Sequence, residues 1–537
     1  MQVEFALLIL SLLFFLSIFA DKIGYRYGVP ALLLFLVVGM FFGSHSLGAF
    51  FNADRMEIDI DTAEALSTVA MCIILFTGGM ETKLSDIKSV LAPGITLATL
   101  GVLLTCVITG VIIYYIFGWI NAVASVSIWV ALLMAATMSS TDSASVFSVL
   151  RTNGIGLRHN LRPLLELESG ANDPMAYVLT TTLIGVVLTA QKFPGAEHAI
   201  SALSIVQVIV IQLVMGTVLG FALGEGLVAL MRRVKLGNEA LYPIMILTAC
   251  IFIFAVTYYL EGNTYLAVYV GGLIIGNNKF TRKRQTQSFF SGLVWLSQLV
   301  MFLMLGLMVN PIDLLNYRVW LPCLIISIVM ICISRPAAVW LCMWPFKQYR
   351  GRDKLMLSWV GLKGAVPIIF AIMCKAHGVP FADLIFNVVF LCTIVSLLAQ
   401  GTTLTFIAKK LNLDVPQKEA KSLQYFDLDL PDEIQSSARE VEVKESMLEK
   451  GSTLREITIP PHTLVIMVRR GEDFFVPTGA SELKLGDQLL VISDKDAQAT
   501  YQQMIDDAEE EAQWKAEMRE RARERFNRLT AWIPKKK

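Results

Sequence analysis

Four short polar segments interrupt apolar stretches of the sequence and carry groups that could do chemistry. They are SSTDSA at residues 139–144, LELESGANDPMA at 165–176, SRP at 334–336 and SWVGLKGAVPI at 358–368. An ionisable side chain within a membrane span is costly and usually faces a protein interior or a water-filled cavity. Asp142 and Asp173 have apolar sequence on both sides, so we expect both carboxylates to face such an interior.

The second segment places its polar side chains on two adjacent stripes of a helix. Glu168 and Asn172 are four residues apart and are direct neighbours, whereas Ser169 and Asp173 share the next stripe. We therefore expect one of the two carboxylates to face a structural partner and the other to line a cavity.

Asp142 and Lys363 occupy matching places in the two halves of the chain. Gly361, Gly364 and Pro367 interrupt one apolar stretch, and hydroxyl residues around Asp142 interrupt the other. Paired, interrupted helices are the best sequence signal for a transporter site near the bilayer midplane. Opposed half-helices bring like dipole ends together, and a carboxylate and a cationic side chain would neutralise them. We assign that role to Asp142 and Lys363.

The composition excludes a purely soluble enzyme. The 537 residues are 55% apolar and 17% charged, with a mean hydropathy of +0.60, against about 25% charged residues in soluble proteins. Residues 1–410 carry a net charge of +6 and residues 411–537 a net charge of −6, which indicates a membrane body and an acidic soluble tail. The eight cysteines lie in apolar stretches without CxxC spacing. We therefore expect no disulfide framework, zinc site, cofactor or nucleic-acid partner.

The apolar periodicity predicts an all-α polytopic membrane protein. A span needs about 17–25 apolar residues. Thirteen candidate spans lie at about residues 3–20, 28–43, 63–80, 91–118, 127–150, 164–190, 203–231, 241–260, 262–277, 286–308, 319–343, 355–374 and 384–408.

The charges of the loops predict the orientation. One set of helix ends carries 20 Lys and Arg residues and the opposite set carries 4. Because positive residues concentrate on the cytoplasmic side, we expect the N-terminus outside, the tail in the cytoplasm, and the chain in the cell inner membrane.

The four polar segments resemble those of the monovalent cation/proton antiporters, specifically the NhaP-type branch related to sodium/proton exchangers. The similarity covers about residues 1–410. The resemblance implies a dimeric, thirteen-helix fold with two inverted repeats and broken crossing helices, working by an elevator-like movement of a core domain.

The resemblance also implies roles for individual residues. Asp173 matches the family's cation- and proton-binding aspartate, Asn172 its preceding asparagine, and Thr141 and Asp142 the polar pair of a broken helix. Ser169 is added as a candidate ligand because it shares a stripe with Asp173.

Two further positions complete the site that the resemblance implies. Glu168 and Arg335 match a glutamate–arginine pair that braces the site. Lys363 departs from many relatives, which have arginine there; the charge is retained but planar, multidentate bonding is not.

The tail resembles a TrkA-C (RCK-C) regulatory module, a small cytoplasmic α/β domain. The matching segments are RRG at 469–471, VPTG at 476–479 and LGDQLLVI at 485–492. We divide the chain into a transmembrane antiporter domain (1–410), a linker (411–439), this regulatory domain (440–505) and a charged helix or disordered tail (506–537). A small-molecule ligand of the regulatory domain is possible, and so is a purely structural, dimerising role.

These features predict a secondary antiporter, not an enzyme, that exchanges a monovalent alkali cation for H⁺. With asparagine at position 172, we expect electroneutral one-for-one exchange serving cytoplasmic ion, pH and volume homeostasis. The TrkA-C resemblance favours K⁺ over Na⁺. The alternatives are Na⁺/H⁺ exchange, an RCK-gated cation channel, although no TVGYG-like filter is present, and an intramembrane hydrolase using Asp142 and Asp173 as an acid/base pair.

Overall fold

The structure, a computed structural model, divides into two compact units, Met1–Gln417 and Lys418–Lys537. It describes residues 3–27, 31–43, 58–120, 126–193, 202–234, 236–278, 280, 282–310, 314, 317–416, 438–443, 447–448, 451–457, 463–471 and 473–493. Most of the predicted linker and the charged segment 506–537 lie outside the described residues.

The first unit is helical. In its first half the helices are α1 Val3–Tyr27, α2 Ala31–Phe42, α3 Ile60–Glu81, α4 Leu84–Ile87, α5 Leu91–Thr96, α6 Val102–Ile120, α7 Ile128–Thr137, α8 Ser143–Thr152 and α9 Leu161–Lys192. In its second half they are α10 Ala202–Arg233, α11 Leu241–Tyr259, α12 Thr264–Asn277, α13 Lys283–Met308, α14 Tyr317–Val329, α15 Arg335–Cys342, α16 Gly351–Trp359, α17 Val366–Ala376, α18 Ala382–Ser396 and α19 Thr402–Lys410.

Eight helices in the described part of the chain are long and apolar enough to cross a membrane, and five shorter apolar helices accompany them. Many large apolar side chains are exposed along these helices, among them Phe15, Ile211 and Phe221. Such surfaces suit lipid, where each helix satisfies its own backbone groups. The fold is therefore that of a helical membrane protein, while the count of thirteen spans stays a prediction.

Two helices break at the places that the sequence predicts. The chain is extended between α7 and α8 and again between α16 and α17. The two extended segments touch, because the Asp142 N–H donates to the Leu362 carbonyl at 2.8 Å. Pro367 lies in the first turn of α17, where its missing N–H costs nothing. Non-helical backbone at this depth is tolerated only inside protein or beside a cavity.

A short antiparallel ladder ties the end of the last helix to the loop before α9. Strand β1 (Ile155–Leu157) pairs with β2 (Asp414–Pro416). The Arg158 N–H adds a hydrogen bond to the Leu413 carbonyl at 3.0 Å. The segment that leaves α19 is thus fixed to the connection between α8 and α9.

The second unit contains a four-stranded antiparallel sheet. Its strands are β3 Ala438–Glu442, β4 Thr463–Arg470, β5 Asp473–Phe475 and β6 Gln488–Ser493, in the order β3-β6-β4-β5. Its core residues are Val443, Ile457, Val468, Leu483, Leu489 and Val491.

One ion pair lies at the edge of that core. The Arg470 guanidinium donates to both oxygens of Asp487 at 2.9 and 2.7 Å, and the Lys484 N–H donates to the same carboxylate at 2.8 Å. Burial alone would raise the pKa of Asp487, but these hydrogen bonds outweigh it and hold that pKa below its usual range.

The lowered pKa of Asp487 predicts an acid-dependent loss of stability in the second unit. A carboxyl whose folded pKa is depressed contributes stability that is complete above the unfolded pKa, about 4, and is lost as pH falls through the folded value. Hydrogen exchange of the full chain, corrected for intrinsic rates, should show strands β4 and β6 losing protection below about pH 4. Asp487→Asn should weaken protection already at pH 7. Asp473→Asn, which changes an exposed carboxylate of the same sheet, should behave as wild type.

Candidate ion-binding site

Helix α9 carries the central residues of the site. Glu168, Ser169, Asn172 and Asp173 are all buried. Pro174 lies inside this helix and, having no N–H, gives no hydrogen bond to the Gly170 carbonyl. The sequence therefore builds a continuous helix that is polar on one side and locally short of one backbone bond beside Asp173.

The extended segment between α7 and α8 supplies the partners of these residues. The Ser140 hydroxyl donates to Asp173 Oδ1. The Ser169 hydroxyl donates to the Thr141 carbonyl at 3.0 Å. The break in the helix thus places hydroxyl and carbonyl oxygens directly against α9.

Glu168 and Arg335 form a buried ion pair. Arg335 Nη2 donates to Glu168 Oε1 at 2.8 Å, with exposed side-chain fractions of 4% and 2%. Arg335 begins α15, directly after the π-helical turn Met330–Ser334. Its side chain passes over Gly361, where an added Cβ would lie 3.2 Å from Nε. The missing side chain of Gly361 therefore leaves room for the guanidinium to reach Glu168.

Asn172 links the ion pair to the broken helix and leaves one oxygen unused. Its Nδ2 donates to Glu168 Oε1 at 3.2 Å and also to the Thr141 hydroxyl. Its Oδ1 is buried and has no hydrogen-bond partner among the described residues. A buried acceptor without a partner costs free energy, and amide oxygens are good ligands for hard cations.

Asp142 and Lys363 stand at the ends of the half-helices. The Asp142 carboxylate accepts from the Ser145 N–H at 3.2 Å and from its hydroxyl at 2.6 Å, which caps the start of α8. It also packs against Gly364, where an added Cβ would meet Asp142 Cβ at 2.8 Å. Lys363 Nζ donates to the Ser140 carbonyl at 2.8 Å. Each charge therefore faces backbone groups of opposite polarity.

The charges of this cluster do not balance. In the part of the chain that the structure describes, the half-buried Asp142 and the buried Glu168 and Asp173 lie with two buried cationic side chains, Arg335 and Lys363. When all five are ionised, one negative charge remains. Glu168 pairs with Arg335, and Asp142 caps the start of α8. The excess negative charge therefore falls on Asp173, which accepts from the neutral Ser140 hydroxyl. One proton or one monovalent cation would neutralise it.

Comparison with known proteins assigns this arrangement to a family. The sequence profile of the sodium/hydrogen exchanger transmembrane domain matches residues 9–410. The chain belongs to the sodium/hydrogen exchanger family. The resemblance inferred from the four polar segments is confirmed, as is that of the tail, since a TrkA-C domain profile matches residues 439–506 of the exchanger.

Individual relatives extend the match over most of the exchanger. It is 37% identical to the K(+)/H(+) antiporter NhaP of Alkalimonas amylolytica, over 91% of this chain and 81% of the relative. It is 36% identical to the K(+)/H(+) antiporter NhaP2 of Shewanella oneidensis, over 90% and 80%. The solved structure of the sodium proton antiporter MjNhaP1 from Methanocaldococcus jannaschii matches 76% of this chain and 99% of that one, with a TM-score of 0.64 and 21% identity. That likeness shows the fold.

The structure brings every predicted site residue of the exchanger into one cluster and adds partners that sequence reasoning missed. Ser140 lies in the segment SSTDSA but was not among the predicted site residues. Asn263 donates to the Pro174 carbonyl at 2.8 Å, and the Ser396 hydroxyl accepts from the Lys363 N–H at 3.0 Å. Asn263 and Ser396 lie outside the four polar segments, so nothing in the sequence pointed to them as partners. Ser140 lies in the run of hydroxyl residues at 139–143, which did point to the site.

The exchanger should depend on Arg335 for stability. Arg335→Ala leaves the Glu168 carboxylate buried and unpaired, which should cost about 3–5 kcal/mol and lower the thermal unfolding temperature in detergent. The double variant Glu168→Gln with Arg335→Gln should recover part of the loss, because it removes both charges. Arg284→Ala, at an exposed arginine, is the control. Additive effects of the two Gln substitutions would show that the pair is not coupled.

Proposed function

We propose that the chain is a secondary antiporter that exchanges K⁺ for H⁺, with Na⁺ as the alternative cation. The observation that carries this proposal is the single uncompensated carboxylate in the buried cluster. The relatives that span most of the chain carry the name K(+)/H(+) antiporter, and the charge balance of the site suits an ion with one positive charge. The function is therefore transport and not catalysis of a covalent reaction.

In this proposal Asp173 binds a proton and the cation in turn. The unused Asn172 Oδ1, the hydroxyls of Ser140, Thr141 and Ser169, and the carboxylate of Asp173 would supply oxygen ligands. Glu168 and Arg335 brace these groups, and Asp142 and Lys363 neutralise the helix ends. Because the cluster has one negative charge to neutralise, it carries one proton or one cation at a time. Exchange is then electroneutral.

The proposal includes the architecture that the family resemblance implies. Thirteen spans in two inverted repeats, a homodimer and an elevator-like movement are consistent with the eight long and five shorter apolar helices and the two broken ones. The excess of positive residues at one set of helix ends supports an outside N-terminus and a cytoplasmic tail in the inner membrane. The proposal keeps the division of the chain into residues 1–410, 411–439, 440–505 and 506–537.

Transport assays on the purified chain test the cation and the charge balance together. Proteoliposomes should exchange H⁺ for K⁺ and Rb⁺ more readily than for Na⁺ and Li⁺, and a clamped potential should drive no steady current. A membrane potential acts on net charge at about 2.3 kcal/mol per charge per 100 mV, so a current proportional to turnover would exclude one-for-one exchange. Flux far above carrier rates would favour the channel.

Asp173→Asn should abolish exchange without unfolding the protein. The amide keeps the volume of the carboxyl and can still accept from Ser140, but it cannot switch between a charged and a neutral form. Cation-dependent proton flux in proteoliposomes should fall to the level of empty vesicles, with an unchanged unfolding temperature. Glu225→Gln, which alters an exposed carboxylate on α10, should retain exchange. Residual pH-dependent cation flux in Asp173→Asn would remove Asp173 from the mechanism.

The tail is proposed to regulate exchange through the β1–β2 ladder. The ladder connects the segment leaving α19 to the loop between α8, which Asp142 caps, and α9, which carries Asp173. A displacement of this segment is thereby transmitted to both site helices. A ligand of the tail would bias exchange only by binding one conformation better than another.

Two truncations separate the ladder from the regulatory domain. Ending the chain after Pro416 retains the ladder, so exchange should persist with a shifted pH dependence. Ending it after Lys410 removes β2 and should also lower the rate. Both are measured as cation-dependent proton flux across pH. Identical pH profiles with and without residues 417–537 would reduce the tail to an assembly module, and complete loss of transport after either inserted truncation would make it part of the transport machinery.

A further inference from the structure

The ring of Tyr269 fills the place of a side chain at Gly170. Gly170 lies on α9, three residues before Asp173, and Tyr269 lies on α12. A Cβ added to Gly170 would lie 2.7 Å from Tyr269 Cζ and 2.8 Å from its hydroxyl oxygen. No carbon atom fits at those distances, so α9 and α12 interlock here only because residue 170 has no side chain.

Two more contacts continue this interface along the same stripe of α9. Asn263 Nδ2 donates to the Pro174 carbonyl, and the rings of Tyr177 and Tyr265 pack edge to face with centroids 4.6 Å apart. Residues 170, 174 and 177 follow the spacing of one helix face. We call these three contacts the α9–α12 seam; it runs directly beside Asp173.

Helix α12 is held differently by its other neighbours. Gly272 and Gly276 of α12 lie against the backbone of α3, and Gly220 of α10 lies against the backbone of α12, each without space for a methyl group. Backbone-to-backbone packing of this kind fixes helices relative to one another. At the seam, α12 contacts α9 through its side chains. Movement of α12 relative to α9 is therefore easier than movement relative to α3 or α10.

Helix α9 is partly exposed on both sides of Asp173. Glu166 and Gly170 are partly exposed before it and Tyr177 and Thr181 after it, whereas Asp173 itself is buried. Tyr269 packs against Gly170 beside this buried stretch.

We propose that Tyr269 and Gly170 form a latch that stabilises the conformation in which the two residues interlock, and that the ring leaves Gly170 when the site changes the side to which it is open. This inference rests on the proposed exchange function, since a carrier must expose its site to each side in turn. The contact at Gly170 is made by the edge of the Tyr269 ring. Ring packing, and not a hydrogen bond, therefore forms the latch.

The bump variant Gly170→Ala tests the latch. The added methyl group destabilises this conformation and reduces its population. On the face to which this conformation opens, the apparent KM then rises by the factor by which the population falls. In right-side-out and inside-out vesicles, Rb⁺/H⁺ exchange should show a KM about tenfold higher on one face of the membrane and no increase on the opposite face. Gly185→Ala is the matched control, because it lies on the same helix and its added Cβ meets nothing within 4 Å.

Variants of Tyr269 complete a double-mutant cycle. Tyr269→Ala alone should raise KM on the same face, because the latch is lost, and Gly170→Ala added to it should change KM by less than about twofold. Tyr269→Phe keeps the ring, so it should resemble wild type alone and remain sensitive to Gly170→Ala.

The latch is overturned by equal KM changes on both faces, by an unchanged KM in Gly170→Ala, or by the same Gly170→Ala effect in the Tyr269→Ala background. Should Gly170→Ala fail to insert, the one-sided KM change of Tyr269→Ala decides. Failure of the wild type to exchange K⁺, Rb⁺, Na⁺ or Li⁺ for protons would instead refute the proposed function itself.

Discussion

One excess negative charge buried among apolar helices is the constraint on which the rest of the structure depends. Taking an ion out of water costs several kcal/mol unless partners replace the solvent. Glu168 has the guanidinium of Arg335, and Asp142 caps a helix start, whereas Asp173 accepts from the neutral hydroxyl of Ser140. In the proposed mechanism a proton or an alkali cation neutralises Asp173, and the two would be mutually exclusive occupants.

The two broken helices provide partners for the charged side chains of the site. An unbroken helix satisfies its own backbone groups and has none to offer, whereas the extended segments before α8 and α17 present N–H and carbonyl groups to side chains. Lys363 uses the Ser140 carbonyl, and the segments bind each other through Asp142 and Leu362. Gly364 is required because Asp142 leaves no room for a Cβ there, so close approach, not flexibility, explains that glycine.

Sequence reasoning located the charged residues because each is anomalous within an apolar span. The sequence alone identifies Asp142, Asp173, Arg335 and Lys363, because a charged side chain within an apolar span is costly in lipid and usually has a functional role. The two helix breaks follow from proline, glycine and hydroxyl runs. Partners that are ordinary in their own context, such as Asn263 and Tyr269, give no signal. Asn263 caps the start of α12, and Tyr269 is an aromatic residue within that apolar helix. Both reach the site only through the packing of α12 on α9.

Asn172 accounts for the single exchangeable charge of the proposed mechanism. Its Nδ2 lies 3.2 Å from Glu168 Oε1 and also donates to Thr141. An aspartate here would place a second carboxylate at that distance from Glu168, and two like charges so close cannot both stay ionised in a buried site. Arg335 already neutralises Glu168 and has no second charge to give. The amide therefore does two things at once: it donates to Glu168, which pairs with Arg335, and it leaves a neutral buried oxygen that could bind a cation. In the proposed mechanism the one-for-one stoichiometry would therefore depend on Asn172 as well as on Asp173.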